Sequence, residues 1–325
     1  MTRRVAILLA SVLVLAALAG ASVCVGANAV PPHAIWDAFT SYAGTDEHVI
    51  VRDIRGPRTL IAICVGAALG TAGTLIQTLT RNPLAEPGVL GVTAGAGFAI
   101  IIGTVAGVAA SQSVRLGLAL AGAVLAAVLV YGVGRTHPLR LILAGVALTY
   151  VLSGLSLALR LVFPDVLDRY RFWAVGALAG REQMPLGLPL AAIVLALIGA
   201  VIVTRPLGSL ALGENVAHAL GARVGQIRIA VLVLVTVLAG AATAIAGPIL
   251  FVGLMVPHLA RRLATGSVPW LMAYTMVFGP ILLVASDIGS RVLLPTGEVP
   301  VAIVTAFIGA PVLIWAVRRY GTVSL

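Results

Sequence analysis

The sequence predicts an all-α integral membrane protein of about ten transmembrane helices. Three observations predict it. Hydrophobic residues make up 60% of the 325 and charged residues 10%, with a mean hydropathy of +1.11. Apolar runs near the roughly 20 residues that a crossing needs recur along the whole chain. The arginines stand singly or in pairs between these runs and at their ends. A soluble domain carries about 25% charge and about 45–50% apolar content, so a water-soluble globule is excluded.

Composition removes several chemistries. All 21 basic residues are arginine, because the chain contains no lysine. A Walker-type ATP site needs its lysine on the phosphates, and Schiff-base catalysis needs a lysine amine; neither is open to this chain. The net charge of +10 is spread along membrane flanks rather than gathered on a soluble module, so nucleic acid is not the expected partner. Cys24 and Cys64 lie inside apolar runs without metal-type spacing and read as small core residues. The histidines (33, 48, 137, 218 and 258) are scattered, and His258 reads as a helix-end histidine rather than a metal ligand.

Taken in order, the first span is Val5–Ala27. It opens on Arg3–Arg4 as a signal peptide would. Its apolar run is longer than a signal core and a polytopic chain follows, so it reads as a retained helix. The second span, Pro57–Leu79, opens on Arg55-Gly-Pro-Arg58. Proline suits a first helical turn, which predicts a helix start at Pro57 with both guanidiniums facing water. Cations at a helix N-terminus oppose the dipole; with Arg52 upstream, they form a surface awaiting an anion, or else anchor in headgroups. A stiff loop follows from Arg81 to Gly88, carrying Pro83 and Pro87. Spans three to five are Gly91–Ala109, Arg115–Val133 and Arg140–Val162, with Thr136-His137-Pro138-Leu139 before the fifth. The segment from Pro164 to Pro185 is too polar to cross; it reads as interfacial, with Trp173 in the aromatic belt.

Span six is Pro185–Thr204, and Arg205 to Arg228 is a polar connection. Within it Gly213–Leu220 reads as a short helix stopped by Gly221, with a second short helix starting at Ala222. Spans seven and eight, Ile249–Leu263 being the eighth and Ile229–Ala246 the seventh, are parted by Gly247-Pro248. Span nine, Trp270–Val292, places Asp287 and Arg291 at i, i+4, a spacing that pairs them on one face. An ionisable group within a span is a functional candidate; pairing near the membrane boundary is the plainer reading. Span ten is Pro300–Val317. With both termini cytoplasmic, 12 arginines lie inside and nine outside, a modest positive-inside bias. Gly66-x3-Gly70, Gly91-x3-Gly95 and Gly103-x3-Gly107 predict close helix packing within the chain.

Several runs together resemble the FecCD family of ABC-importer permeases. They are RGPR at Arg55–Arg58, RNPLAEPGVLGV at Arg81–Val92, Phe172-Trp173-x2-Gly176, Gly247-Pro248-Ile249-x-Phe251-Val252-Gly253-Leu254-x2-Pro257-His258, and Glu298-Val299-Pro300…Gly309-Ala310-Pro311. The closest likeness is to permeases for ferric siderophores of the ferric-enterobactin type. The resemblance implies a type II ABC importer permease fold in the cell membrane. One permease domain spans residues 1–325, with a coupling segment at about 205–228. It implies docking of an external substrate-binding protein on Arg55, Arg58 and Arg291, and a cytoplasmic gate at Asn82, Leu84, Pro138 and Leu139. It also implies contact of Glu214, Asn215, Ala217, His218, Leu220 and Gly221 with an ABC ATPase dimer. A second permease, identical or paralogous, completes such importers. The chain would then be a non-catalytic transport subunit without a cofactor, carrying a ferric siderophore inward among membrane lipid.

Haem and cobalamin permeases share these motifs and remain alternatives. A secondary transporter would need an unpaired acid at the membrane midplane, and Asp287 reads as partnered. An intramembrane hydrolase would need an assembled nucleophile and base; Ser153, Ser156 and His258 follow no such motif.

Overall fold

The computed structural model describes residues 2–26, 30–134, 138–294 and 297–320. Among these there are helices and no strands. In chain order, α1 is Thr2–Cys24, α2 Pro32–Thr40, α3 Asp46–Val49 and α4 Gly56–Thr80, with a π-helical stretch Ile50–Arg55 joining the last two. A 3-10 turn, Pro87–Leu90, leads to α5 Val92–Val105, α6 Gln112–Gly134, α7 Pro138–Val162 and α8 Pro164–Ala174. Then come α9 Gly187–Ala211, α10 Glu214–Ala219, α11 Val224–Ala246, α12 Val252–Ala264, α13 Val268–Val292 and α14 Val301–Tyr320.

A helix stands at each of the ten expected spans, and among the described residues seven helices are long and apolar enough to cross a membrane. The chain is thus a multi-pass membrane protein. The helices α5 and α12, of 14 and 13 residues, rise about 20 Å, short of the roughly 30 Å hydrocarbon core. The apolar part of α14, Val301–Trp315, is also short.

The start of the second span differs from expectation. The helix begins at Asp46, not Pro57, and runs unbroken to Thr80. Thr45 caps it by accepting from the His48 backbone N–H at 3.4 Å, and Asp46 and Glu47 occupy the first turn, where the dipole favours acids. Pro57 therefore lies inside the helix, where it has no N–H to donate. The π-helical stretch just before it accommodates this, with the Gly56 N–H reaching back to the Val51 carbonyl.

The helix α4 is the centre of the bundle, contacted by α9, α11, α12 and α13 and buried along most of its length. Small residues let backbones meet there. A Cβ on Gly66 would sit 2.6 Å from the Gly279 carbonyl oxygen, and one on Gly73 would lie 1.8 Å from that of Gly253. The pair Gly95 and Gly122 brings α5 and α6 together in the same way. Buried hydroxyls are satisfied along the helix: Thr74 and Thr78 donate to the carbonyls of Gly70 and Thr74 at 3.2 and 2.7 Å.

Two further expectations are corrected. Trp173 does not face outward as a belt residue would but is buried within the protein, its ring against Gly97 on α5. No second short helix starts at Ala222. After α10 the Gly221 N–H donates to His218 and the Ala222 N–H to Ala217, both at 2.9 Å, with Gly221 at φ +76°. This is a Schellman stop, and the chain turns directly into α11. The connection is also shorter than expected, because α9 continues to Ala211.

Candidate functional site

The ends of α1 and α13 meet the π-helical stretch and first turn of α4 in a cluster of five ionisable side chains. Asp287 is fully buried; Arg55, Arg58 and Arg291 are 4–5% exposed. Arg58 presents one edge to Asp287, with Nη2 2.8 Å and Nε 3.0 Å from Oδ1. Its Nη1 donates to Glu298 at 2.8 Å. Arg291, one turn after Asp287 on α13, pairs with the other carboxylate oxygen. Such pairs, with both ions desolvated, persist only when hydrogen bonds satisfy the remaining donors.

The C-terminus of α1 supplies all but one of those that Arg291 needs, its Nε being left without a partner. A helix end leaves its last carbonyls without intrahelical partners. Arg291 Nη1 donates to the Ser22 carbonyl at 2.7 Å and Nη2 to the Ser22 hydroxyl at 3.0 Å. Arg55 Nη1 donates to the carbonyls of Val23 and Cys24 at 3.1 and 2.8 Å. Two arginines thus cap α1, where the negative dipole end favours cations. Ser22 also bonds Thr59 on α4, hydroxyl to hydroxyl, at 2.7 Å. The expectation that Arg55 and Arg58 face water at a helix start is therefore corrected: both are buried, and of the cluster only Glu298 is exposed, its side chain at 38%.

At the opposite end of α4, Arg81 closes the helix in the left-handed region (φ 51°). Asn82 Oδ1 accepts from the Leu84 N–H at 2.9 Å, an Asx turn that leaves Leu84 about half exposed. Glu86 follows, accepting from the backbone N–H of Phe251, while burial pushes its carboxyl above the ordinary range. It lines a cavity of about 440 Å³ with Thr93, Thr149, Ser153, Tyr170 and Trp173. The side chains of Pro138 and Leu139, and residues Thr136 and His137, lie outside the described residues.

The helix α10 hangs between α9 and α11, held by Ala217, which is fully buried, and by Glu214, which pairs with Arg228 at 2.5 Å. Asn215, His218, Leu220 and Gly221 are exposed. Val216 on α10 and Leu212 and Leu220 on either side of it are 43, 69 and 66% exposed, large apolar side chains left uncovered.

His258 is buried with neither ring nitrogen hydrogen-bonded, and its neighbour on α12, Arg261, donates to Gln77 Oε1 at 3.0 Å. Among the described residues no group of three or more His, Cys, Asp or Glu side chains is placed to hold a metal. The sequence reading missed the roles of Glu298, Ser22 and Thr59. No local spacing signals them, since Glu298 and Arg58 are 240 residues apart.

The sequence model of the FecCD transport family matches residues 11–319. The chain belongs to the FecCD transport family. Among its relatives is the ferric enterobactin transport system permease protein FepD of Escherichia coli, 46% identical, covering 92% of this chain and 90% of that protein. The probable siderophore transport system permease YfiZ of Bacillus subtilis is 39% identical, covering 92% and 91%. Among solved structures, a metal-chelate type ABC transporter in an inward-facing conformation superposes with a TM-score of 0.84 at 28% identity, covering 96% of this chain and 99% of that one. The family's members are permeases, transport subunits rather than catalytic ones.

Proposed function

We propose that this chain is one permease subunit of an ATP-driven importer that moves a ferric siderophore inward. The observation that carries the cargo is the 46% identity to a ferric enterobactin permease across nearly the whole of both chains. Relatives in vitamin B12 import reach 36% over 83% of this chain, which ranks cobalamin second.

The subunit works by relaying motion between partners. A substrate-binding protein presents acidic side chains to the Arg55, Arg58 and Arg291 end, where three guanidiniums face two carboxylates and leave a net positive charge. The exposed apolar side chains of Leu212, Val216 and Leu220 on and beside α10 enter a groove of a separate ATPase, with Asn215, His218 and Gly221 alongside; Glu214 and Ala217 hold the helix in place. Asn82 and Leu84, with Pro138 and Leu139, form the inner gate. By the likeness to the family all ten expected spans cross, the non-helical residues beside α5 and α12 adding the length that these short helices lack; both termini are cytoplasmic, and a second permease, paralogous by the likeness to enterobactin-type permeases, completes one translocation domain pair.

The test is transport in liposomes holding the permeases and ATPase, with external binding protein and radiolabelled iron on catecholate or hydroxamate siderophores, or labelled cobalamin. Uptake of a ferric siderophore that needs internal ATP and binding protein, and falls when Arg55 and Arg58 become Glu, supports the reading. Uptake driven by a proton gradient without ATP refutes it, and selective uptake of cobalamin replaces the cargo.

A further inference from the structure

Arg58 lies almost wholly inside the protein, yet an acidic side chain arriving from outside has to reach it. Its fork is already full. Asp287 takes Nε and Nη2 from within, and Glu298 takes Nη1 from the rim at 2.8 Å. Asp287 has no exposed surface and is also held by Arg291, so it cannot be exchanged without stranding two buried cations. Glu298 differs on each count. Its side chain is 38% exposed, it lies on the loop between α13 and α14, and Arg58 is the partner that holds it in an ion pair.

We propose that Glu298 is a resident stand-in for the docking carboxylate: it covers the outer edge of Arg58 in the undocked permease and is displaced when the binding protein's acidic side chain arrives. This rests on the docking reading above and adds to it a competitor within the chain. The physical reason for a stand-in is that a desolvated guanidinium with a vacant edge is costly, while a rim ion pair is weak enough to be exchanged. The place of Glu298 in the chain gives the exchange a route inward. Its neighbour Val299 donates to the Ser290 carbonyl at 2.9 Å, and Ala302, in the first turn of α14, donates to Gly176 just past α8 at 3.0 Å. Displaced, Glu298 gives up the side-chain tie between this connection and α4 while the two backbone bonds stay in place.

The test measures binding-protein affinity for the complete permease–ATPase complex in nanodiscs, comparing wild type with Glu298→Gln, Glu298→Ala and Arg58→Glu. A competitor removed makes docking tighter, by about two- to fivefold for a rim ion pair, in both Glu298 variants. A merely structural Glu298 would weaken docking when replaced. Unchanged or weaker affinity in Glu298→Gln and Glu298→Ala, with Arg58→Glu still abolishing docking, overturns the stand-in alone. If Arg58→Glu docks as well as wild type, the docking reading itself fails. Exposure of Glu298 keeps both of its variants foldable, which matched unfolding midpoints verify.

Discussion

Asp287→Asn separates the two carboxylates of the arginine cluster by their energetic weight. The substitution keeps volume and removes the charge that faces both Arg58 and Arg291 in a site with no solvent exposure at Asp287. Arg58 retains Glu298 as a counter-charge. Arg291 retains the Ser22 carbonyl and hydroxyl, which accept from its Nη groups but carry no net charge. One buried cation is then uncompensated, at a cost of about 3–5 kcal/mol. Glu298→Gln breaks a partly exposed pair, worth no more than about 1 kcal/mol. Equilibrium unfolding in mixed detergent–SDS micelles measures both on one scale. If Asp287→Asn costs no more than Glu298→Gln, the cluster is not a desolvated charge network and the reasoning fails.

Other outcomes follow from the same structure. Gly73→Ala drives a methyl into the Gly253 backbone, which cannot retract as a side chain would, and destabilises by about 1–3 kcal/mol in the same assay; Gly132→Ala, with nothing within 4 Å, does not. Leu220→Glu weakens ATPase binding in pull-down or interferometry by about tenfold, the loss of roughly 1.4 kcal/mol, and leaves the permease unfolding midpoint in place. Burial raises the Glu86 carboxyl above its ordinary 4.5. The folded state therefore holds that proton more tightly than the unfolded chain, and the stability it contributes is present below 4.5 and lost as pH rises through the raised value. Glu86→Gln should flatten this fall in stability as pH rises above 4.5 in detergent melts; an unchanged slope refutes the burial argument.

Helix positions were legible in the sequence because a bilayer demands long apolar runs and tolerates few alternatives. Boundaries were less so. Pro57 reads as a helix start, yet the better start signal, Thr45 before Asp46 and Glu47, lay upstream in the sequence; the π-helical stretch that reconciles the two has no local signature. The i, i+4 relation of Asp287 and Arg291 was visible because a helix puts such residues on one face. Their link to Arg58 and Glu298 depends on how α4, α13 and the following loop come together, which no spacing encodes. Trp173 misled for a related reason: on a polar segment it reads as a rim aromatic, and only the absence of a side chain at Gly97 on another helix gives its ring a place inside.

The unbroken helix from Asp46 to Thr80 is 35 residues long, a rod of about 50 Å, against the roughly 40–45 Å from headgroup to headgroup. It is therefore long enough to reach both aqueous faces as a single rod. Arg55 and Arg58 lie about three turns in from Asp46, and just past the far end the Arg81 guanidinium lies beside Gly213, where α10 begins. Contacted by α9, α11, α12 and α13 along its length, such a rod resists bending, so on the proposed docking a push at the arginines would reach α10 as displacement, with the π-helical stretch Ile50–Arg55 beside the point of entry.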